Sequence, residues 1–241
     1  MIYSRKILFN AFKQYLQQIF KDAMLILLCI APILVGLLFV YGIPLIERLL
    51  TKYFSLSEVL QPYYLLFDLF MAVMTPLLYC FASAYVILGE IDDGISKYMA
   101  VTPLGKKGYL ISRLGISTFI SFVVTVAALL TVSLSDLSLK NIFIISILSA
   151  MMGFIEALLV VTVSSNKVEG MAVSKLSGLF LIGLPIPFFV TGGFQYIMFF
   201  LPSFWLTKYA LEQNLLYLLL CIVTSIAWML ILMKKFIRKI I

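Results

Sequence analysis

No histidine occurs anywhere in the 241 residues. That absence removes Ser-His-Asp triads and H-E-x-x-H zinc sites in one step. Charge is scarce as well: Asp, Glu, Lys and Arg make up 12% of the chain, about half of what an ordinary soluble domain carries. The three cysteines, Cys29, Cys80 and Cys221, each sit inside an apolar run, so neither a disulfide framework nor a metal-ligand spacing emerges. No glycine-rich loop ends in Gly-Lys-Ser or Gly-Lys-Thr, so the chain lacks the phosphate cradle of a P-loop ATPase. No nucleophile–base constellation is visible, which disfavours a membrane-embedded enzyme.

What the chain has is apolar surface. It is 63% hydrophobic, with a mean hydropathy of +1.12, far too apolar for a soluble globule. Its length leaves room for about six spans of roughly 20 residues with short loops. The fold expected is an all-α integral membrane protein, one transmembrane domain over residues 1–241.

Residues 1–22 read as an amphipathic helix lying in the headgroup plane. Leu8, Phe12, Tyr15 and Ile19 share one face with Phe9, Leu16 and Phe20, opposite Lys6, Lys13, Gln14, Gln17 and Lys21. A secretory signal fits poorly, because no small-x-small cleavage site follows the first apolar run. Spans are expected at about 24–43, 62–88, 109–131, 141–163, 176–191 and 215–233. A polar segment with Glu47, Arg48, Lys52 and Glu58 should follow the first, and Pro76 is a plausible kink in the second.

The region 176–210 is too long for one helix, which would reach about 52 Å at 1.5 Å per residue. Pro185, Pro187, Gly192, Gly193 and Pro202 break it. Two full spans there would put the basic tail KKFIRK outside. The better reading is one span, then a re-entrant hairpin in the outer leaflet before the last span, with Tyr196, Trp205 and Tyr209 at the interface.

With both termini cytoplasmic, fourteen of the 18 basic residues fall inside, leaving Arg48, Lys52, Lys140 and Lys208 outside. This asymmetry matches the positive-inside rule for the cell membrane. The net charge of +7 thus points to membrane lipids rather than nucleic acid. Arg113, at the inner end of the third span, reads as a snorkelling anchor.

The stretch GEIDDGISKYMAVTPLGKKGY, residues 89–109, gathers charge in a chain that has little. On this topology residues 89–108 are the longest inner loop. Asp92, Asp93 and Gly94 have turn and helix-start chemistry. Ile95–Val101 suits about two helical turns, ended by Thr102-Pro103. Such a helix would offer Lys97 and the acids to water, and Ile95, Tyr98 and Met99 to whatever it packs on. Read from the residues alone, the loop is either a docking element or a solvated turn that sets orientation.

Glu90, Asp93, Gly94, Thr102, Pro103 and Leu104, leading into Tyr109-Leu110, resemble the inner loop of ABC-2-type transporter permeases. The amphipathic N-terminal helix, six spans and broken hairpin fit the same family. Ile95 departs from it, since threonine often follows that glycine. The resemblance implies that Glu90, Asp92, Asp93, Gly94, Ile95, Lys97, Tyr98, Thr102 and Pro103 form a coupling element seated on a separate cytosolic ATPase. It also implies a second six-span permease, identical or homologous, with ATP and magnesium held by the ATPase and no cofactor in this chain. Amphipathic peptide, drug or lipid-like cargo would move outward.

Two carboxylates fall within apolar runs. Asp68 in the second span and Glu156 in the fourth can mark a translocation path, because an intramembrane carboxylate needs a partner, water or a proton. Each also has a plain structural reading: Asp68 as a hydrated group near the outer end, Glu156 as a buried hydrogen-bonding group beside Ala150, Gly153 and Ala157. An ion-coupled carrier using both is the competing functional class. The aromatic run Phe188, Phe189, Phe194, Tyr196, Phe199 and Phe200 can line a cargo exit, or face lipid and packed core.

Overall fold

A computed structural model describes residues 5–102 and 105–240. Its elements are helical throughout the described residues. Helix α1 covers Arg5–Lys21 and α2 covers Ala23–Phe54. Asp22 separates them and caps α2, accepting a hydrogen bond from the Met24 N–H at 2.9 Å. Helix α3 runs Tyr64–Asp92, α4 Ile95–Val101 and α5 Gly105–Leu110. A π-turn, Ile111–Gly115, joins α5 to α6, Ile116–Val132. Then come α7, Leu139–Val163, and α8, Lys167–Ser177. The short α9 (Leu179–Ile182) and α10 (Ile186–Phe189) lead to a 3₁₀ turn, Gly193–Met198. The chain closes with α11, Pro202–Glu212, and α12, Leu215–Ile240.

Six helical segments among the described residues are long and apolar enough to cross a membrane. Two of them form the axis. The most apolar windows of α3 and α7 are 67% and 72% buried, against 17% in α2 and α12. The rest wrap this pair and keep Leu, Ile, Val and Phe on their outer faces, as lipid-facing helices do. Helix α6 approaches α3 along Ser117, Ser121, Thr125 and Leu129, all buried and spaced by four. Small residues on one stripe allow this close approach, and the Ser117 hydroxyl donates to the Tyr79 carbonyl at 3.1 Å.

The bounds differ from the sequence reading in places. Helix α2 continues past residue 43 to Phe54, so Glu47, Arg48 and Lys52 of the polar segment lie in its last turns and Glu58 in the loop beyond. Glu47 ties this end together: its carboxylate accepts the Val59 and Leu60 N–H groups at 2.8 and 2.6 Å, folding the following loop back onto the helix. The fifth crossing starts at Lys167 rather than 176 and runs, interrupted, to Phe189. Trp205 and Tyr209, expected at the interface, are buried instead. The Trp205 indole donates to the Phe199 carbonyl at 2.6 Å and stacks on Tyr217. Tyr196 remains exposed. Helix α1 turns Ala11, Tyr15 and Ile19 inward, where Tyr15 and Ile19 pack on Leu25, Ala82 and Val86, while Phe20 stays exposed.

One face of the bundle collects the ends of several elements. The Lys167 N–H donates to Asp92 at 3.1 Å, joining the end of α3 to the start of α8. Lys239 near the end of α12 donates to the carbonyls of Val161 and Ser164. Helix α1 meets the end of α3 through Gln18 and Glu90 at 3.2 Å. The opposite face carries the Asp68, Glu47 and Lys208 contacts.

Candidate functional site

The strongest concentration of buried polarity lies under α4, where the ends of α1 and α3 meet the π-turn. Glu90, in the last turn of α3, is 2% exposed and Arg113 in the π-turn is 1% exposed. Arg113 binds both carboxylate oxygens, Nη2 to Oε1 at 2.6 Å and Nε to Oε2 at 3.1 Å. The Tyr109 hydroxyl donates to Oε2 at 2.8 Å and Gln18 donates to Oε1 at 3.2 Å. Arg113 Nη1 donates to the Ala11 carbonyl at 2.6 Å. Its guanidinium lies 5.7 and 5.8 Å from the rings of Tyr15 and Tyr109, close enough for cation–π attraction.

A buried ion pair costs more desolvation than it returns unless its remaining hydrogen-bonding capacity is used. Here neighbours from two elements use it, Gln18 and the Ala11 carbonyl of α1 and Tyr109 of α5. The π-turn is part of how. A wider turn re-aims side chains relative to the helix on either side, and such turns recur at functional sites. Ser83 in α3 donates to the Arg113 carbonyl at 2.6 Å, fixing the turn from its other side.

Helix α4 spans Ile95–Val101, the residues the sequence assigns to it. Gly94 precedes it with φ at +71°, a left-handed conformation that suits glycine. Gly94 receives no side-chain cap from Asp92 or Asp93. Asp92 caps α8 instead through Lys167, and Asp93 is exposed. Thr102 ends α4 in extended backbone, its hydroxyl donating to the Met99 carbonyl at 2.7 Å. Ile95 is 39% and Tyr98 71% exposed, whereas Ser96 is buried against the bundle. Pro103 and the side chain of Lys97 lie outside the described residues. Glu90, expected among the surface-docking residues, faces inward because Arg113 holds it there. Arg113 is accordingly a buried partner and does not snorkel to the interface.

Between α1 and α4 lies a cleft of about 400 Å³. Gln14, Gln17 and Lys21 form one wall, Ile95 and Tyr98 the other, and Glu90 with Arg113 the floor. Tyr15, beside this hub, has its phenol pushed up to about 12 by burial.

The two intramembrane carboxylates are far from this cluster and from each other in role. Asp68 accepts the Leu134 and Ser135 N–H groups, both at 2.8 Å, and the Ser135 hydroxyl. It closes the loop between α6 and α7, which is a structural task. Glu156 is buried in α7 and borders a separate cavity. Among the described residues no group of three or more Cys, Asp or Glu forms a metal site.

These features define a multi-pass membrane protein with a two-helix axis and an ion-paired hub at one face, beneath an exposed short helix. A family profile described as "Fluoroquinolones export permease protein Rv2686c-like" matches residues 15–233, and the chain belongs to this family. Two relatives come from Mycobacterium tuberculosis: the fluoroquinolones export permease protein MT2760 of strain CDC 1551 / Oshkosh and Rv2686c of strain ATCC 25618 / H37Rv. Each is 22% identical over 197 residues, covering 78% of this chain and 75% of the relative. No solved structure matches the chain. The protein is a transporter permease.

Proposed function

We propose that this chain is the membrane subunit of an ATP-driven exporter of the ABC-2 type, in the cytoplasmic membrane with both termini inside. A separate cytosolic ATPase holds ATP and magnesium, and a second six-span permease, identical or homologous, completes the pathway. The chain itself performs no hydrolysis. The cargo is an amphipathic peptide, drug or lipid-like molecule, and the relatives' names favour a drug.

The observation that carries this reading is the pairing of an exposed α4 with a rigid hub directly beneath it. Ile95 and Tyr98 offer apolar contact area at the inner face. Any push on α4 passes through Gly94 to the end of α3, and through Glu90 and Arg113 to α1, the π-turn and α6. Packed elements that move as units transmit such a push, because cores resist continuous deformation. Closure of the ATPase would then tilt α3 against α6.

Co-purification tests it. The tagged chain, purified from its native host in detergent, should retain a cytosolic ATPase subunit. Tyr98→Asp or Ile95→Asp should release the ATPase while leaving the permease inserted and monodisperse. Transport that survives ATP depletion but stops when the ion gradient collapses would favour the ion-coupled alternative.

A further inference from the structure

On the side of α1 turned away from the α4 cleft, α1, α2, α3 and α6 surround a cavity of about 240 Å³. Leu16 and Phe20 of α1, Ile26, Cys29 and Ile30 of α2, and Ile120 of α6 line it. The hydroxyls of Tyr15, Tyr79 and Ser117 also reach it, but each is already spent. Tyr15 donates to the Ser117 hydroxyl at 3.3 Å, Ser117 to the Tyr79 carbonyl at 3.1 Å, and Tyr79 to the Cys29 carbonyl at 3.1 Å. A polar ligand would lose its water and find no unspent hydroxyl in exchange, so the interior suits hydrocarbon.

Depth and charge narrow the choice of hydrocarbon. Cys29 stands six residues beyond Ala23, the start of α2, so the cavity reaches about 9 Å along that helix. This depth lies within one leaflet, which holds roughly 15 Å of hydrocarbon. At the mouth, Phe20 is 71% exposed. On a helix turning about 100° per residue, Lys13 falls about 20° from Phe20, against about 100° for Lys21 on the cleft side. Lys13 is exposed and makes no ion pair among the described residues. Helix α1 itself contains no acid. The acids near its end are engaged elsewhere, Asp22 capping α2 and Glu90 holding Arg113.

We propose that this cavity is a binding site for one anionic phospholipid, with an acyl chain seated between α1 and α2 and the phosphate at Lys13. Naming the leaflet cytoplasmic rests on the orientation given above, whereas the site itself is independent of the exporter reading. A zwitterionic lipid offers the same hydrocarbon with no net charge to meet Lys13. One lysine near a membrane surface favours an anionic lipid by about fivefold. Occupancy also bears on the hub, because Ala11 and Gln18 of the same helix bind Arg113 and Glu90.

The test uses the full chain purified in detergent and two photoactivatable lipids, a phosphatidylglycerol and a phosphatidylcholine with the same diazirine-bearing acyl chain. After irradiation, mass spectrometry maps the points of attachment. Both lipids should label Leu16, Phe20, Ile26, Cys29 or Ile30, the phosphatidylglycerol at about fivefold lower concentration. Lys13→Gln should remove that preference and leave the attachment points in place. Lys21→Gln, the same charge change on the cleft side, should largely retain it. Ile30→Trp, which fills the cavity from its exposed side, should abolish attachment there while labelling of the outward face of α12 persists. The comparison of the two lipids on the unaltered protein stands even if a variant fails to fold. Equal labelling by the two lipids, equal losses in Lys13→Gln and Lys21→Gln, or attachment spread evenly over the lipid-facing helices overturns the site. Release of the label by excess fluoroquinolone would give the cavity to cargo and overturn it as well. None of these outcomes touches the co-purification of the ATPase, so the two readings stand or fall separately.

Discussion

Arg113 grips Glu90 through two nitrogens, at 2.6 and 3.1 Å, across the loop that carries α4. Each residue is nearly inaccessible to solvent, so the pair closes the base of the loop as firmly as a packed core would. The first prediction concerns what happens when it is opened. Arg113→Met or Glu90→Gln alone leaves a partner stranded, and removing one member of a buried pair costs about 3–5 kcal/mol. The double variant Glu90→Leu/Arg113→Met should recover a good part of that loss. Arg113→Lys should not, since an ammonium cannot reproduce the two-point contact. Thermal unfolding of the four variants and the parent, purified in one detergent, checks the order. Equal stability of Arg113→Lys and the parent would show that the fork geometry is immaterial.

Asp68 gives a second prediction, because two backbone N–H groups depend on it. Asp68→Ala should lower stability by about 1–3 kcal/mol for each N–H left dry, with water entering the loop reducing the total. Asp68→Asn keeps one acceptor oxygen and should fall between. Transport per folded molecule should be unchanged in both. A transport defect in fully folded Asp68→Asn would instead return this residue to the translocation path.

Tyr15 makes a pH prediction with a definite sign. Its phenol ionises near 10 in the unfolded chain and at about 12 when folded, because burial disfavours the charged form. Stability from this group is therefore intact below pH 10 and lost between about pH 10 and 12, by about 1.4 kcal/mol per pH unit. Tyr15→Phe should show a shallower alkaline decline than the parent, at the cost of the 3.3 Å bond to Ser117. Urea unfolding at pH 9, 10 and 11 measures the difference. Parallel curves would refute it.

Local pattern decided what could be read in advance. The six apolar segments and the limits of α4 follow from composition, from glycine at a left-handed turn, and from the restriction proline places on Thr102. The hub was hidden because Glu90 and Arg113 are separated by a loop, and hydropathy alone makes Arg113 look like a boundary residue. Asp68 and Glu47 escaped for a related reason: their partners are backbone N–H groups of loops, which leave no signature in side-chain sequence. The stripe Ser117, Ser121, Thr125 was legible in principle, since small hydroxyl residues at four-residue spacing mark a close helix contact.

Gly153 tests the axis of the bundle directly. A Cβ at that position would stand 2.6 Å from the Pro76 carbonyl oxygen and 2.7 Å from the Pro76 Cβ. Neither atom can swing aside, for one is backbone and the other belongs to a ring in the middle of α3. Helices α3 and α7 would have to separate along the most buried contact in the protein. Gly153→Ala should therefore destabilise by about 1–3 kcal/mol, the usual cost of overpacking, and Gly153→Val by more. Gly42 in α2 supplies the control. The nearest atom to its added Cβ is the Leu38 Cγ at 3.7 Å, so Gly42→Ala meets no clash and should gain up to about 1 kcal/mol from helix propensity. Opposite shifts in melting temperature for two identical chemical changes would isolate packing as the cause. A Gly153→Ala protein as stable as the parent would mean that α3 and α7 do not meet at this distance.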